Sequence, residues 1–277
     1  MKKVISALLA VLMVLTAFSV SAFAAPKLLV DGKEAGSIPA DTTKDAFLVT
    51  ENGQTRLVGD TTLRRWVGNW ENWRNWTRPS DAMKQRYPYI DKAWNEADAK
   101  ASSKLPMDVN ALKLFWYSFT NTNTLENPTP VDAMKVYQDT DGKYKLQWIA
   151  PDKSILAEDS YTMTGKVLKG LEGATMYVFT ADTLQKGSPF KYWVTMAPDY
   201  QTEGEYPVAG HFHFQYGSNL NRILLFPQNY AGTQRNLKKP YWFATMINAD
   251  ESDTAKYNVI LALHKAAKWR EGTTSAK

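Results

Sequence analysis

The sequence predicts an α+β protein that is mainly β, with an antiparallel barrel or sandwich flanked by helices. From about residue 127 onward, short apolar segments of strand length recur at regular spacing between turn residues, a pattern typical of such folds. Residues 61–120 instead carry apolar positions at helical spacing. The chain has 277 residues and no cysteine, so we expect a hydrophobic core rather than disulfides to hold it.

The N-terminus has the pattern of a secretory signal peptide. Lys2 and Lys3 precede an apolar run over 4–20, and an Ala-x-Ala site follows. We expect residues 1–24 to be removed and the mature protein to be exported, to an extracellular, cell-surface or periplasmic location. The apolar run is short for a membrane span, so no stable membrane span is expected in the mature protein.

Composition narrows the chemistry further. The absence of cysteine excludes cysteine-ligated zinc, iron–sulfur clusters and a cysteine nucleophile. The formal net charge is +5, and loss of Lys2 and Lys3 would lower it to +3. Charges of both signs are interspersed, as on a solvated surface, so nucleic-acid binding is not expected.

Residues 25–60 are predicted to form a small β appendage ahead of the main domain, residues 61–277. Apolar segments at 47–50 and 54–58 flank Glu51-Asn52-Gly53, which is the pattern of a β-hairpin. An earlier strand at 28–30 runs into Asp31-Gly32, a tight-turn dipeptide.

A helix is predicted to begin near Leu63, capped by Asp60 or Thr62. Four tryptophans then follow at steps of four, three and three, which places them on one helical face: Trp66, Trp70, Trp73 and Trp76. The stripe suits a buried core; the alternative is an aromatic platform for sugar or peptide.

The remaining elements follow from periodicity and from prolines and turn residues. Helices are predicted at 79–87, 90–103 and 108–117, and at 253–270 with Asp250 or Ser252 as the cap. Strands are predicted at 131–138, 144–149, 153–157, 161–164, 175–180, 190–196 and 210–216.

Two of the three histidines, His211 and His213, lie one residue apart on the last of these strands. Alternate side chains on a strand share a face, so the two imidazoles are able to converge on one metal ion. Two ligands are half of a stable zinc site. The alternative is a solvent-facing strand that happens to carry two histidines. His264 is expected to be a partly exposed helix residue and not a ligand.

Motifs for catalysis are lacking in the sequence. It contains no Gly-rich phosphate loop, no Gly-x-Ser-x-Gly and no His-Glu-x-x-His. Its carboxylates are scattered, so a glycosidase pair is neither supported nor excluded. A binding protein is therefore expected rather than an enzyme, and no catalytic residue is predicted.

Several segments, taken in order, resemble the ZinT (YodA) family of exported zinc-binding proteins. Residues 63–70 resemble its Trp-x-Gly-x-Trp helix, and His211-Phe212-His213-Phe214 resembles its His-Phe-His metal motif. The resemblance covers about residues 60–270. It implies a lipocalin-like (calycin-like) barrel, capture of zinc with cadmium tolerated, and delivery of zinc to the binding protein of an ABC importer.

The chain departs from the family at its third histidine, whose place falls among residues 197–200. Asp199 is the predicted replacement, since two histidines and a carboxylate form an acceptable zinc set, and Glu203 and Glu205 are fallbacks. An additional family histidine corresponds to the region of Tyr117. The alternative is a degenerate member, a lipocalin-like protein that binds a small apolar or envelope-derived ligand.

Overall fold

The computed structural model describes residues 27–30, 33–35, 46–51, 54–101, 110, 113, 117, 131–169, 175–198, 202–203, 206–223 and 244–261. The chain divides into two compact units. One comprises residues 1–61 with 165–167, and the other comprises 62–164 with 168–277. The predicted signal peptide lies outside the described residues.

The first unit contains a four-stranded antiparallel sheet in the order β2-β1-β3-β4. Its strands are β1 (Lys27–Val30), β2 (Lys33–Ala35), β3 (Ala46–Glu51) and β4 (Gln54–Gly59). Glu51 pairs with Gln54, so β3 and β4 are antiparallel neighbours that are adjacent in the chain. The predicted hairpin is confirmed.

The second unit begins with a 3₁₀ turn (Leu63–Trp66) and alternates strands with short helices. Its helices include α1 (Trp73–Thr77), α2 (Asp81–Arg86) and α3 (Ile90–Ala101). Its first strands are β5 (Gly68–Asn72), β6 (Ala133–Gln138), β7 (Tyr144–Ile149), β8 (Ile155–Asp159), β9 (Tyr161–Lys169) and β10 (Thr175–Ala181). The later strands are β11 (Tyr192–Met196), β12 (Thr202–Glu203), β13 (Tyr206–Pro207), β14 (His211–Gly217) and β15 (Ala244–Asn248).

Nine strands form one sheet in the order β8-β7-β6-β5-β15-β14-β11-β10-β9. The sheet curls strongly: the ring of Trp148 on β7 lies 6.3 Å from that of Trp193 on β11. In a flat sheet these strands, five positions apart, would be separated by about 24 Å. The result is a nearly closed antiparallel barrel, so the predicted fold class is confirmed.

Aromatic rings fill the interior of this barrel. The ring centroid of Trp148 lies 5.9 Å from that of Phe214 and 4.8 Å from that of Tyr216. From the 3₁₀ turn, Trp66 packs edge-on against Phe179 at 5.2 Å. These five side chains are at most 1% exposed. Each buried ring contributes roughly 1.5–3 kcal/mol of transfer free energy, so the filled interior is a major source of stability.

The predicted single helix through the tryptophan stripe is wrong, although its four tryptophans are all buried. Gly68 has φ of +143°, a conformation that ends the helical path after Trp66. Trp70 then lies on β5 and points into the barrel, whereas Trp73 and Trp76 belong to α1. Asn72 caps α1, because its side chain accepts a hydrogen bond from the N–H of Arg74 at 2.9 Å. The core interpretation of the stripe therefore holds, but the elements that carry it differ.

Other elements agree with the sequence pattern more closely. The predicted helices near 79–87 and 90–103 correspond to α2 and α3, and residues 110, 113 and 117 of the next one are helical. The tail is helical over 253–261, with the Ser252 hydroxyl accepting from the N–H of Ala255. Strands β2, β5, β12, β13 and β15 were not predicted. No helix in the described ranges is long and apolar enough to cross a membrane.

Helices cover part of the outer surface of the sheet. Trp73, Trp76 and Trp94 pack with Ile247 of β15 and with Ile260 of the tail helix. Ile223, in a helical segment at 220–223, packs on Val194 of β11. The β14 strand lies between β15 and β11, so these two apolar clusters flank it.

Replacing Gly68 by alanine should lower the free energy of unfolding by about 1–3 kcal/mol, because alanine is strained at positive φ. The added Cβ would lie 3.4 Å from Oδ2 of Asp250, an ordinary van der Waals distance, so backbone strain is the expected cause of the loss. Urea unfolding measures the change. Gly187→Ala, at φ of +99° with no atom within 4 Å of the added Cβ, is the strain-only control. An unchanged free energy of unfolding in Gly68→Ala would contradict backbone strain at this position.

Candidate metal centre

The two faces of β14 separate its side chains into two environments. Phe212 and Phe214 point into the barrel and are fully buried, and the ring of Phe212 packs 4.7 Å from that of Trp70. His211 and His213 alternate with them on the outward face and are partly buried. The prediction that the two histidines share a face, opposite the two phenylalanines, is confirmed.

The spacing of the two imidazoles is compatible with one shared metal ion. Their ring centroids are 5.6 Å apart and their planes are inclined by 79°. For two imidazoles on one tetrahedral zinc ion, with Zn–N bonds of about 2.0–2.1 Å, the ring centroids lie about 5 Å apart. A small rotation of either side chain would close the remaining difference.

Thr245 of the neighbouring strand orients His213. The Nδ1 atom of His213 lies 2.8 Å from Oγ1 of Thr245, which the β14–β15 register places opposite it. If Nδ1 carries the proton and donates to Thr245, Nε2 presents its lone pair to a metal. Metal-binding histidines are commonly held in this way by a hydrogen bond from the other ring nitrogen.

Burial lowers the pKa of His213 from its usual value near 6.5 to about 3, and the nearby His211 contributes to the lowering. A lowered pKa means that the imidazole is neutral at physiological pH. Only neutral imidazole coordinates a metal. His213 can therefore bind a metal ion at physiological pH without first losing a proton.

The predicted carboxylate ligands belong to the segment between β11 and β14. Asp199 and Glu205 lie outside the described residues, and the side chain of Glu203 does too. Among the described residues, no group of three or more histidine, aspartate or glutamate side chains is placed to hold a metal ion. A third ligand for the histidine pair thus remains a prediction. His264 also lies outside the described part.

Glu71 is the acidic side chain that the sheet register brings to the same face as His211. It pairs with Ile247, which pairs in turn with His211. Two strand spacings separate Glu71 from His211, about 10 Å. Its Oε1 atom accepts hydrogen bonds from Arg86 at 2.9 Å and from Tyr87 at 3.1 Å. Its other oxygen, Oε2, is shielded from solvent and has no hydrogen-bond partner in the described structure, so Arg86 and Tyr87 engage only one oxygen of this carboxylate.

The region of Tyr117, where the resembled family often has a histidine, has a cationic environment. The guanidinium carbon of Arg74 lies 4.0 Å from the centre of the Tyr117 ring, and that of Arg78 lies 3.9 Å from it. Two positive charges on one ring repel a metal cation.

Neither these arginines nor Thr245 was singled out from the sequence, since their partners are distant along the chain.

No protein-family model and no curated protein matches this chain. Two similar solved structures are the Zn(II)-bound ZinT-like domain of Streptococcus pneumoniae AdcA and Zn(II)-bound AdcA from the same organism. Each is 16% identical to this chain, with a TM-score of 0.43. The first match covers 77% of this chain and 95% of that domain. The second covers 81% of this chain and 39% of AdcA, so the chain spans well under half of that protein. At this identity and TM-score the likeness carries no conclusion about a ligand.

The metal-free protein should lose stability as the pH falls below about 6.5. Unfolded His213 binds a proton near its ordinary pKa of 6.5, whereas the folded side chain does so only near pH 3. The unfolded state therefore binds more protons across this window, and acid favours it. We expect His213 to account for about 1–3 kcal/mol of the loss between pH 7 and pH 4.5.

Urea unfolding of chelator-treated protein at several pH values measures this loss. In His213→Gln, whose side chain does not titrate, the decline should be shallower over the same window. Identical pH profiles for the two proteins would contradict a neutral, buried His213.

Proposed function

We propose that this protein binds zinc, or a similar divalent transition metal, through His211 and His213 of β14. The observation that carries the proposal is the pair of imidazoles on one outward face, with ring centroids 5.6 Å apart. The neutral state of His213 and its hydrogen bond with Thr245 support it, because both prepare the side chain as a ligand.

A carboxylate from the segment between β11 and β14 completes the site in this proposal. Asp199 is the first candidate, with Glu203 and Glu205 as alternatives. The segment joins two paired strands, so its ends lie beside the histidine strand. Two imidazoles, one carboxylate and a water molecule would give a four-coordinate ion with an exchangeable position.

An exchangeable position would let the ion enter and leave, as capture and transfer of a metal require. We propose that the protein is exported and that it scavenges zinc or delivers it to an uptake system, with the binding protein of a zinc ABC importer as the partner class. The sequence resemblance to the ZinT family supports this role. Cadmium, which prefers similar ligands, would bind at the same place.

The packing of the barrel argues against the alternative of a small apolar ligand inside it. Trp148, Trp193 and Phe214 meet across the interior and are fully buried. A lipocalin-like binding site needs an open cavity at this position, and here side chains fill it.

Zinc titration of the metal-free mature protein by calorimetry tests the proposal. We expect one ion per chain, with little or no binding by the His211→Ala/His213→Ala double variant, which loses both imidazoles. Asp199→Asn should weaken binding by at least the ~10–100-fold that loss of a residue supporting a ligand causes, if Asp199 itself supplies the carboxylate.

His264→Ala is the matched control, because it removes the third histidine of the chain, which is not expected to bind metal. It should leave the affinity unchanged. Equal, weak heats for the wild-type protein and the double variant would refute the proposed site. An unchanged affinity for Asp199→Asn would move the third ligand to Glu203 or Glu205, for which the corresponding glutamine variants are the test.

A further inference from the structure

A cationic cluster on the helical side of the second unit is formed by Arg74, Arg78 and Tyr117. Arg74 lies on α1, and Arg78 follows its last residue. The two guanidinium carbons lie 4.0 and 3.9 Å from the centre of the Tyr117 ring. An Nη atom of Arg74 also donates a hydrogen bond to the Tyr117 hydroxyl. The ring thus holds both cations in one place.

Neither arginine of this cluster has a carboxylate partner among the described residues. Other basic side chains nearby do: Arg86 pairs with Glu71 at 2.9 Å, and Lys84 pairs with Asp91 at 3.1 Å. In the Arg74 guanidinium, the Nε atom is shielded from solvent and has no hydrogen-bond partner in the described structure. A buried donor without an acceptor costs about 1–3 kcal/mol.

Mutual repulsion adds to that cost. Because both guanidinium carbons lie within 4.0 Å of one ring centre, they are no more than about 8 Å apart, close to the Debye length at physiological ionic strength. Salt therefore screens their repulsion only partly. The attraction of each cation to the Tyr117 ring is worth about 0.5–2 kcal/mol, but no carboxylate among the described residues pairs with either positive charge.

We propose that Arg74, Arg78 and Tyr117 form a binding site for a phosphoryl oxyanion. Guanidinium groups match the oxygens of phosphate with paired hydrogen bonds. Arg78 is exposed to solvent, so its outer edge is accessible. The Tyr117 hydroxyl accepts from Arg74 and keeps its own proton to donate to the anion. The site takes a phosphate group, either free or as part of a lipid headgroup, and is independent of the histidine pair.

The test uses chelator-treated protein carrying His211→Ala and His213→Ala, so that phosphate cannot bind through a captured metal. Inorganic phosphate is titrated at low, constant ionic strength with chloride as the balancing anion, and binding is followed by calorimetry and by thermal shift. We expect saturable binding that weakens at least about tenfold in Arg74→Gln or Arg78→Gln, the loss expected for one charged hydrogen bond. The double glutamine variant should not bind.

Lys135→Gln is the matched control, because it removes one positive charge and one contact with a tyrosine ring, at 5.3 Å from the centre of Tyr137. It should bind phosphate as the parent does. If a glutamine variant fails to fold, Arg74→Lys and Arg78→Lys replace it, because they keep the positive charge and are expected to keep the fold. They should bind more weakly than the parent, since lysine lacks the paired donors.

Sedimentation with phosphatidylglycerol and phosphatidylcholine vesicles distinguishes the source of the phosphate. Arginine-dependent binding to phosphatidylglycerol without binding of free phosphate assigns the site to a lipid headgroup, and binding of free phosphate alone assigns it to a soluble ligand. If neither probe binds, or if the double glutamine variant binds as the parent does, the proposal is overturned. The cluster would then serve stability alone, and the glutamine variants would only lower the melting temperature.

Discussion

The alternation of side chains along β14 is the constraint on which the candidate site depends. Phe212 and Phe214 are locked among the rings that fill the barrel, at roughly 1.5–3 kcal/mol of burial each. Slipping the strand by one residue would expose both rings and bury both histidines in an aromatic interior. The aromatic core therefore fixes the outward direction of His211 and His213 more firmly than any contact that the histidines make themselves.

A contact with the neighbouring strand and partial burial then set the orientation and the protonation state of His213 on this outward face. Thr245 on β15 engages one ring nitrogen of His213, and partial burial keeps that imidazole neutral. The same burial makes an uncompensated positive charge unfavourable. A bound metal ion would therefore need negative charge close by, and the carboxylate ligand that we propose in the segment between β11 and β14 would supply it. The cationic cluster at Tyr117 has the opposite need, so the two regions are suited to ions of opposite sign.

Much of the fold is predicted correctly where the sequence pattern fits only one kind of secondary structure. The predictions fail where a pattern fits both a helix and a strand. The β3–β4 hairpin, β7 and the shared face of His211 and His213 follow from alternation and turn residues. The spacing of the four tryptophans fits a single helix, but it fits a turn, a strand and a short helix equally well. The positive φ of Gly68 is what ends the helical path and produces the second arrangement. Strand β15 is buried throughout and lacks alternation, because the barrel core and the helical layer cover its two faces. Thr245 and the Arg74–Tyr117 contact depend on distant chain pairing, which no local pattern reveals.

Nitrogen-15 NMR of the histidine side chains during zinc titration tests the central claim most directly. The account predicts that the Nε2 resonance of His213 and one ring nitrogen of His211 shift together, saturating at one zinc ion per chain. The His213 Nδ1 should stay protonated beside Thr245, and the third histidine, His264, should be unaffected. Zinc binding that leaves the resonances of His211 and His213 unchanged would contradict the account.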